Sequence, residues 1–351
     1  MDTSRPLVMI FGAGATRGSF ARQSIPPPVD TDFFEIAGQL QGHGTRGLAK
    51  NVLESVWELY GRTTGISLEK YYRDIETRAA IGRFAKPANQ PKDWEKRQED
   101  LEELIRRTYI HTTCLTDENP IKPRENKFHT RIVSLLRTKD AIITFNYDLL
   151  IEEALKCNGL WRPQDGYGVN VSGVTFDWCR RWIEKSKSTN FADSKILLLK
   201  LHGSLNWTLY KNREIRLKPR PYMIRRTKTH KPIFDKISVL PPGWNKRIDR
   251  NPYKIFWREA RKRLEDCKCL IILGYSLPET DLLAQALFEE VVRLRKAKKK
   301  YIRQLCLVDP NRVVIDKFLN LFTPSLGPYS KVYKFGSIRD FYFHILRESD
   351  G

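Results

Sequence analysis

Cysteine is scarce in this chain of 351 residues, which contains six: Cys114, Cys157, Cys179, Cys267, Cys269 and Cys306. Only Cys267 and Cys269 stand close together, and alternate residues of a strand point to opposite faces of a sheet. A structural zinc site is therefore not expected, and no other metal is expected either. Few, scattered cysteines also indicate a reducing compartment.

Long apolar runs are missing as well. No stretch approaches the length of a membrane span, and Leu7 to Phe11 is too short for the apolar part of a signal peptide. We therefore expect a cytoplasmic protein with no membrane partner. Hydrophobic residues make up 41% of the chain, enough for a full α/β core in one domain with an inserted lobe, or in two domains.

Acidic residues are few relative to basic ones. Lysine and arginine number 62 against 41 acidic residues, which gives a formal net charge of +21. The basic residues cluster from Tyr210 to Phe234, where Glu214 alone is acidic, and again from Arg293 to Lys300. Such clusters attract polyanions, so nucleic acid is one candidate partner. An acidic protein partner and an ordinary solvated surface are the alternatives.

The glycine-rich turn near the start of the chain lacks the third glycine of the common dinucleotide fingerprint. Leu7 to Phe11 predicts a buried strand, and Gly12, Ala13, Gly14 and Thr16 follow it. Small residues at such a turn allow backbone amides to approach a pyrophosphate, so these four are predicted to bind a dinucleotide. Tight packing of a strand against a helix would require the same small residues.

Three consecutive prolines follow this turn. Pro26, Pro27 and Pro28 exclude a helix, which predicts a loop from about Thr16 to Asp30. The next helix is predicted to begin at Phe33 and Phe34. The loop is expected to be a lid over the ligand, or otherwise an ordinary surface loop.

Two further apolar runs, Ala141 to Thr144 and Ile196 to Leu201, also lead into polar groups. Carboxyl ends of parallel strands meet at one edge of a sheet, so the side chains that follow them should converge on one ligand. These candidates are Phe145, Asn146, Asp148 and His202.

The chemistry of three of these side chains fits a sugar ligand. The Asn146 amide offers a donor and an acceptor to a ribose diol or to a water. His202, with an ordinary pKa of about 6.5, suits proton abstraction, although a lone histidine is more often structural. Asp148 would either stabilise positive charge on a sugar or cap the helix that follows.

Two later strands are predicted from Lys268 to Gly274 and from Tyr301 to Asp309. Their ends contribute further cofactor-binding candidates, which are Gly274, Ser276, Asp309 and Asn311. The oxygens of Asp309 or Asn311 could accept hydrogen bonds from the hydroxyls of an adenosine ribose.

These motifs resemble, in sequence order, the NAD-binding core of the sirtuins. The segments that carry the resemblance are Gly12-Ala13-Gly14, Thr144-Phe145-Asn146-Tyr147-Asp148, Leu201-His202-Gly203-Ser204, Gly274-Tyr275-Ser276-Leu277 and Val308-Asp309-Pro310-Asn311. Their variants are more similar to the sirtuin-like proteins of bacterial antiviral defence than to the protein deacylases. The resemblance spans roughly residues 7 to 312.

The resemblance implies an α/β fold, a Rossmann-like parallel sheet flanked by helices with an inserted helical lobe. Residues 1–46 and 140–312 would form the NAD-binding catalytic core, and 47–139 the lobe, where apolar residues recur at helical spacing. Residues 205–234 would be a basic excursion within the core, and 313–351 a C-terminal segment packed on it. Deacylase sirtuins carry a zinc ribbon after the catalytic histidine, but no cysteine follows His202 until Cys267.

The resemblance also implies a function, namely an NAD⁺ hydrolase that releases nicotinamide and ADP-ribose. Asn146, His202 and Asp148 would be catalytic, NAD⁺ the substrate, and depletion of NAD⁺ the means of antiphage defence. The trigger would be homo-oligomerisation, a HerA-type ATPase or an Argonaute-like partner. The alternatives are an NAD-dependent protein deacylase and a nucleic-acid-binding subunit that senses NAD or ADP-ribose.

Overall fold

The computed structural model describes residues 6–40, 45–82, 93–115, 122–159, 161, 167–169, 171–172, 196–209, 215–217, 224–226, 232–234 and 252–349. Most of the basic cluster predicted between Tyr210 and Phe234 therefore lies outside the described residues, as does Cys179.

The strands of the described residues fall into one large sheet and three small ones. In chain order they are β1 (Leu7–Phe11), β2 (Cys114–Leu115), β3 (Lys122–Pro123), β4 (Ala141–Thr144), β5 (Val171–Ser172), β6 (Leu197–Lys200), β7 (Trp207–Leu209), β8 (Ile215–Leu217), β9 (Ile224–Arg226), β10 (Pro232–Phe234), β11 (Cys269–Leu273), β12 (Ile302–Val308) and β13 (Leu326–Phe335).

The α-helices lie between and after these strands. They are α1 (Ala13–Ser19), α2 (Phe33–Gly38), α3 (Thr45–Tyr60), α4 (Leu68–Gly82), α5 (Asp93–Thr113), α6 (Lys127–Val133), α7 (Leu150–Cys157), α8 (Tyr253–Asp266), α9 (Leu282–Ala297), α10 (Arg312–Phe322) and α11 (Ile338–Ser349). In the described residues, no helix is both long enough and apolar enough to cross a membrane.

The large sheet has the order β13-β12-β11-β1-β4-β6, and every neighbouring pair is parallel. Its inner strands are continuous apolar runs because helices cover both faces of such a sheet. Strands β1, β4, β6 and β11 are buried along their whole length. The predicted fold class, a Rossmann-like parallel sheet flanked by helices, is confirmed.

The connectivity of the sheet reverses beside β1. The chain adds β4 and β6 on one side of β1, and then returns to add β11, β12 and β13 on the other. Ligands of open α/β sheets bind outside the carboxyl ends of the strands at such a reversal. The carboxyl ends of β1 and β11 are therefore the expected centre of a binding site.

A second hydrophobic cluster lies in the helices between β1 and β4. Side chains of α2, α3, α4 and α5 pack together there, and Tyr147 and Leu205 join them from the sheet side. The predicted division at residues 46 and 139 stays a prediction. In the structure Phe34 packs with this helical cluster, whereas Ile132 and Val133 of α6 pack with the sheet.

The segment after the glycine-rich turn differs from the sequence expectation. Thr16 lies in α1, which continues to Ser19. The loop that the sequence predicts from Thr16 to Asp30 therefore begins about four residues later in the structure. The prolines exclude helix only around themselves and leave the preceding turns free to form. The prediction that the next helix begins at Phe33 is confirmed.

The C-terminal segment completes both the sheet and its helical cover. Strand β13 pairs with β12 as the edge strand. Ile338, Phe341 and Ile345 of α11 are buried in the cluster around the sheet. This segment therefore reaches the edge of the sheet where the predicted site residues stand.

His129 of α6 is fully buried beside β1 and gives a prediction about acid stability. Its ring stacks on Phe11, with 5.6 Å between the centroids, and its Nδ1 lies 3.2 Å from Ser19 Oγ. Burial lowers the pKa of His129 from 6.5 to about 4, against a smaller opposing effect of Asp148. His129 therefore contributes stability that is complete above pH 6.5 and is lost as the pH falls towards about 4.

We expect this contribution to change by about 3 kcal/mol across that interval. The variant His129→Phe keeps an aromatic ring against Phe11, but this ring has no group that titrates. The free energy of unfolding, measured by denaturant titration at several pH values, should fall more steeply for the wild type than for the variant. Parallel pH dependences would show that His129 does not titrate as described.

Candidate functional site

A cavity of about 800 Å³ lies at the carboxyl edge of the large sheet. Each of the six strands contributes a lining residue within three positions of its end. In chain order these residues are Gly14, Asn146, His202, Gly274, Asp309 and Gly336. The topology thus brings together segments that are more than three hundred residues apart in the chain.

Most of the predicted site residues line this cavity. Those that do so are Ala13, Gly14, Phe145, Asn146, His202, Gly274, Ser276, Asp309 and Asn311. Gly12, Thr16 and Asp148 are not among the lining residues, and Thr16 and Asp148 are buried behind the cavity wall. The first group can touch a ligand, whereas these three hold other residues in place.

The glycine-rich turn packs tightly against the end of β11. Gly12 N donates to Leu273 O over 3.0 Å, and Gly14 N donates to Gly274 O over 2.9 Å. A Cβ atom at Gly12 would come within 2.5 Å of Gly274 O, and one at Gly14 within 2.9 Å. The packing alternative therefore explains both glycines, and their amides are engaged within the protein.

Asn146 is fixed by contacts to the turn after β1. Its Nδ2 donates to Gly12 O over 3.0 Å and to Thr16 Oγ1 over 3.1 Å. The sequence suggested both a donor and an acceptor for a ligand, but the donor is used within the protein. The side-chain oxygen is what Asn146 can offer to a ribose hydroxyl or to a water.

Asp148 supports this arrangement from behind. Its Oδ2 accepts from Thr16 Oγ1 over 2.9 Å, and its Oδ1 accepts from Leu150 N over 3.0 Å at the start of α7. The second contact is the helix-start role that the sequence left open. Asp148 therefore holds Thr16, which in turn contacts Asn146, and its predicted catalytic role stays a prediction.

A buried ion pair stabilises the strand end that carries His202. Lys200, the last residue of β6, contacts Glu152 of α7 with 2.8 Å between Nζ and Oε1, and it also donates to the backbone oxygen of Asp148. Tyr167 donates to the same Glu152 oxygen over 2.9 Å. Burial raises the pKa of Glu152, and Lys200 opposes that effect. This contact ties β6, α7 and the Asp148 loop together.

His202 is paired with a carboxylate that the sequence analysis did not assign to the site. His202 Nε2 lies 3.1 Å from Asp281 Oδ2, and both side chains are buried. Asp281 also caps α9, where its Oδ1 accepts from Ala284 N. A proton on Nε2 that is donated to Asp281 makes Nδ1 the ring nitrogen with a lone pair, which fixes the ring as a proton acceptor.

An aromatic pair supports His202 and Asp281. The rings of Phe145 and Tyr275 stack with 3.9 Å between their centroids, and the His202 ring meets Phe145 edge-on at 5.2 Å. Tyr275 donates its hydroxyl to Asp281 Oδ2 over 3.0 Å. Burial, followed by the charge of Asp281, raises the pKa of Tyr275, so this hydroxyl keeps its proton at neutral pH.

Replacing Asp281 by asparagine tests this pairing. In Asp281→Asn the new amide could present an N–H to His202 and favour the wrong tautomer, so we expect turnover of the true substrate to fall on the order of 10²-fold. Tyr275→Phe, which keeps the stacked ring, should have a much smaller effect. A change confined to KM, with kcat retained, would contradict an orienting role for Asp281.

The helical cluster forms another wall of the cavity. Its lining residues there are Leu68 and Glu69 at the start of α4, and Tyr109 of α5. Arg17 of α1 also lines the cavity and forms an ion pair with Asp32. No local sequence pattern marks these residues as site residues, which is why the sequence analysis missed them.

Asp309 and Asn311 follow β12, which lies on the opposite side of β1 from β4 and β6. Asp309 Oδ1 accepts from Asn311 N over 2.8 Å, and Asn311 Oδ1 accepts from Val313 N over 3.0 Å as the cap of α10. Burial raises the pKa of Asp309, and the hydrogen bond from Asn311 opposes that effect. Ser337 and Arg339 of the C-terminal segment line the cavity beside them.

A candidate metal-binding group lies elsewhere in the described part of the chain. Glu125, Glu153 and Cys157 place their ligand atoms within 4.8 Å of one another. Glu153 is paired with Lys156 over 3.0 Å, and none of the three lines the cavity. This group therefore has no part in the site at the strand ends.

Several solved structures resemble the chain at low sequence identity. A Sir2 enzyme shares 14% identity with a TM-score of 0.41, covering 98% of this chain and 91% of that chain. A mutant Sir2 homologue with ADP-ribose shares 14% at a TM-score of 0.40, with 98% and 93% covered. Sir2 with a p53 peptide and NAD⁺ shares 14% at a TM-score of 0.36, with 79% and 90% covered.

No curated protein matches the sequence. The model of one protein family, described as a SIR2-like domain, matches residues 140–317. The matched region contains β4, β6, β11 and β12, and with them Asn146, His202, Asp281 and Asp309. The chain therefore belongs to the SIR2-like domain family.

Proposed function

We propose that this chain is an NAD⁺ glycohydrolase that releases nicotinamide and ADP-ribose. The main support for the proposal is that one cavity is lined by Asn146, His202, the turn at Gly14 and Asp309. Its volume of about 800 Å³ is that of a site for a cofactor-sized ligand. Membership of the SIR2-like domain family supports an NAD-dependent activity.

The arrangement of the cavity supports one orientation of the dinucleotide. The nicotinamide ribose would lie beside Asn146 and His202, and the pyrophosphate beside the β1–α1 turn, where Arg17, paired with Asp32, lines the cavity. The adenosine ribose would reach Asp309, whose carboxyl oxygens can accept from its hydroxyls. One extended dinucleotide would then reach from Asn146 to Asp309.

Cleavage of the bond between the ribose and nicotinamide requires few groups from the protein. Nicotinamide leaves as a neutral molecule from a cationic precursor, so the site must hold the sugar, stabilise its developing positive charge and deliver a nucleophile. Asn146, fixed by Gly12 and Thr16, would position a ribose hydroxyl or a water. His202, oriented by Asp281, would accept a proton from that group.

Water is the proposed nucleophile, in place of an acylated lysine. The zinc ribbon that accompanies deacylase activity in sirtuins follows the catalytic histidine, but the next cysteine after His202 is Cys267. Cys267 is buried beneath Arg295, whose Nη2 donates to the Cys267 backbone oxygen over 3.0 Å. The sequence after His202 therefore favours hydrolysis.

The proposed biological role is that of an antiphage effector that depletes NAD⁺. Unregulated hydrolysis would be toxic, so activity should depend on oligomerisation or on a partner such as a HerA-type ATPase or an Argonaute-like protein. The clustered basic residues would then meet an acidic subunit or nucleic acid. The genes that neighbour this one would identify the partner.

Product analysis tests the proposal. The full-length protein, alone and with its neighbouring gene products and DNA, is incubated with NAD⁺ and with an acetyl-lysine peptide. We expect nicotinamide and ADP-ribose in a one-to-one ratio whether or not the peptide is present. Loss of acetyl groups in step with NAD⁺ consumption would instead identify a deacylase, and intact NAD⁺ under all conditions would refute the proposal.

A further inference from the structure

The helical cluster contributes a carboxylate to the catalytic end of the cavity. We propose that Glu69 is the base that activates the attacking water, which leaves the ribose hydroxyl as the group from which His202 accepts a proton, an inference that rests on the proposed NAD⁺ hydrolysis. Glu69 is the second residue of α4, lines the cavity and is half-buried. An ordinary glutamate is ionised at neutral pH, so it can accept a proton.

Two hydrogen bonds fix Glu69, and one of them comes from the segment that carries Asp281. Its Oε2 accepts from the hydroxyl of Thr280, the residue immediately before Asp281, which contacts His202. Its backbone N donates to Asp30 Oδ1 over 2.9 Å. The Thr280 hydroxyl thus holds the carboxylate beside the loop that orients the histidine, and the contact with Asp30 fixes the backbone of Glu69 at the start of α4.

The charge of Glu69 acts on the aromatic residues at this end of the cavity. Burial raises the pKa of three tyrosines there, and Glu69 raises each of them further. They are Tyr109, Tyr147 and Tyr275. Because these hydroxyls keep their protons at neutral pH, none of them can serve as the base.

Asp30 is the other carboxylate on this wall, but it is less suited to the reaction. It accepts hydrogen bonds from the Ser67 hydroxyl and from the backbone amides of Leu68 and Glu69. These contacts use its oxygens to shape the start of α4. Glu69 is therefore the better candidate.

The proposed step balances atoms and charge. As the bond between the ribose C1′ and the nicotinamide nitrogen breaks, its electron pair stays on that nitrogen and neutral nicotinamide leaves. The water oxygen forms a new bond to C1′, and one water proton passes to the Glu69 carboxylate. Glu69 then loses this proton to solvent, and the products are ADP-ribose, nicotinamide and a proton.

Loss of a base that acts only on water should slow hydrolysis more than it slows cleavage of the bond between the ribose and nicotinamide. In Glu69→Gln, the sugar cation should still form and be recaptured by nicotinamide. We therefore expect NAD⁺ hydrolysis to fall on the order of 10²-fold, with exchange of labelled nicotinamide into NAD⁺ retained. Glu76→Gln is the matched control, because Glu76 lies on the same helix and does not line the cavity.

Formate provides a second test, because it can replace a missing carboxylate. Hydrolysis by Glu69→Ala should increase with added formate, and that by His202→Ala should not. Equal loss of hydrolysis and exchange without rescue would overturn the inference and make Glu69 structural, as would wild-type hydrolysis in Glu69→Gln. If the wild type itself released no nicotinamide, the proposed function would fail as well, so the two failures are distinguishable.

Discussion

Alanine at Asn146 or at His202 should reduce nicotinamide release by about 10²–10⁴-fold, because each removes a group that acts at the scissile bond. Asn146→Ala deletes the oxygen that positions the ribose or the water. His202→Ala deletes the proton acceptor and removes one of the polar groups that contact the buried Asp281 carboxylate. Loss of the imidazole should also lower stability, since a buried carboxylate loses a favourable polar contact.

Nicotinamide release would be followed by chromatography, and NAD⁺ affinity by calorimetry on each variant. Asn320→Ala and His111→Ala are the controls, since both side chains are exposed and neither lines the cavity. The account requires that NAD⁺ affinity survives in the two site variants while turnover is lost. Near-wild-type turnover in either site variant would show that its residue has been given the wrong role.

Gly274→Ala should destabilise the protein by about 2–5 kcal/mol, since strain and overcrowding act together. Gly274 has a φ of +56°, which residues with a side chain rarely adopt. An added Cβ atom would lie 2.1 Å from Ala15 N and 2.4 Å from Gly14 C, both backbone atoms of the turn into α1. The turn could accommodate this Cβ atom only by moving away from β11.

Gly47→Ala is the matched control for this substitution. Gly47 lies in α3, and nothing lies within 4 Å of the position that a Cβ atom would take there. Alanine is the better helix former, so this change should raise the free energy of unfolding by up to about 1 kcal/mol. Chemical denaturation of both variants measures the contrast. Equal stability of Gly274→Ala and the wild type would show that the two turns are not packed as described.

Much of the site could be predicted because it stands at the ends of strands. Leu7 to Phe11 and Ala141 to Thr144 are continuous apolar runs, and such runs identify the buried strands of a parallel sheet. Parallel strands share one carboxyl edge, so Asn146 and His202 could be assigned to the same site without any knowledge of their contacts. The cavity brings these two residues together.

The unpredicted part of the site depends on contacts between distant segments. In the sequence Asp281 stands only as the start of a helix, and its contact with His202 appears only once the start of α9 meets the segment that follows β6. Glu69 meets Thr280, which is 211 residues later in the chain. Contacts at such separations leave no local pattern of spacing or composition.

The glycine-rich turn shows how one residue pattern can have two physical causes. The sequence predicts that Gly12 and Gly14 bind a pyrophosphate, yet their amides donate to β11 and its following turn, and their Cα atoms face backbone. A single sequence cannot distinguish close approach to a ligand from close approach to another strand, because both require the absence of a side chain.

The central claim is that NAD⁺ lies along the carboxyl edge of the sheet with its glycosidic bond beside Asn146. A crystal structure of His202→Ala with NAD⁺ tests this most directly, since the variant should bind the dinucleotide without cleaving it. The account predicts the nicotinamide ribose next to Asn146 and Glu69, the pyrophosphate at the β1–α1 turn and the adenosine ribose at Asp309. A reversed dinucleotide, with adenosine beside Asn146, or NAD⁺ bound outside this cavity, would contradict it.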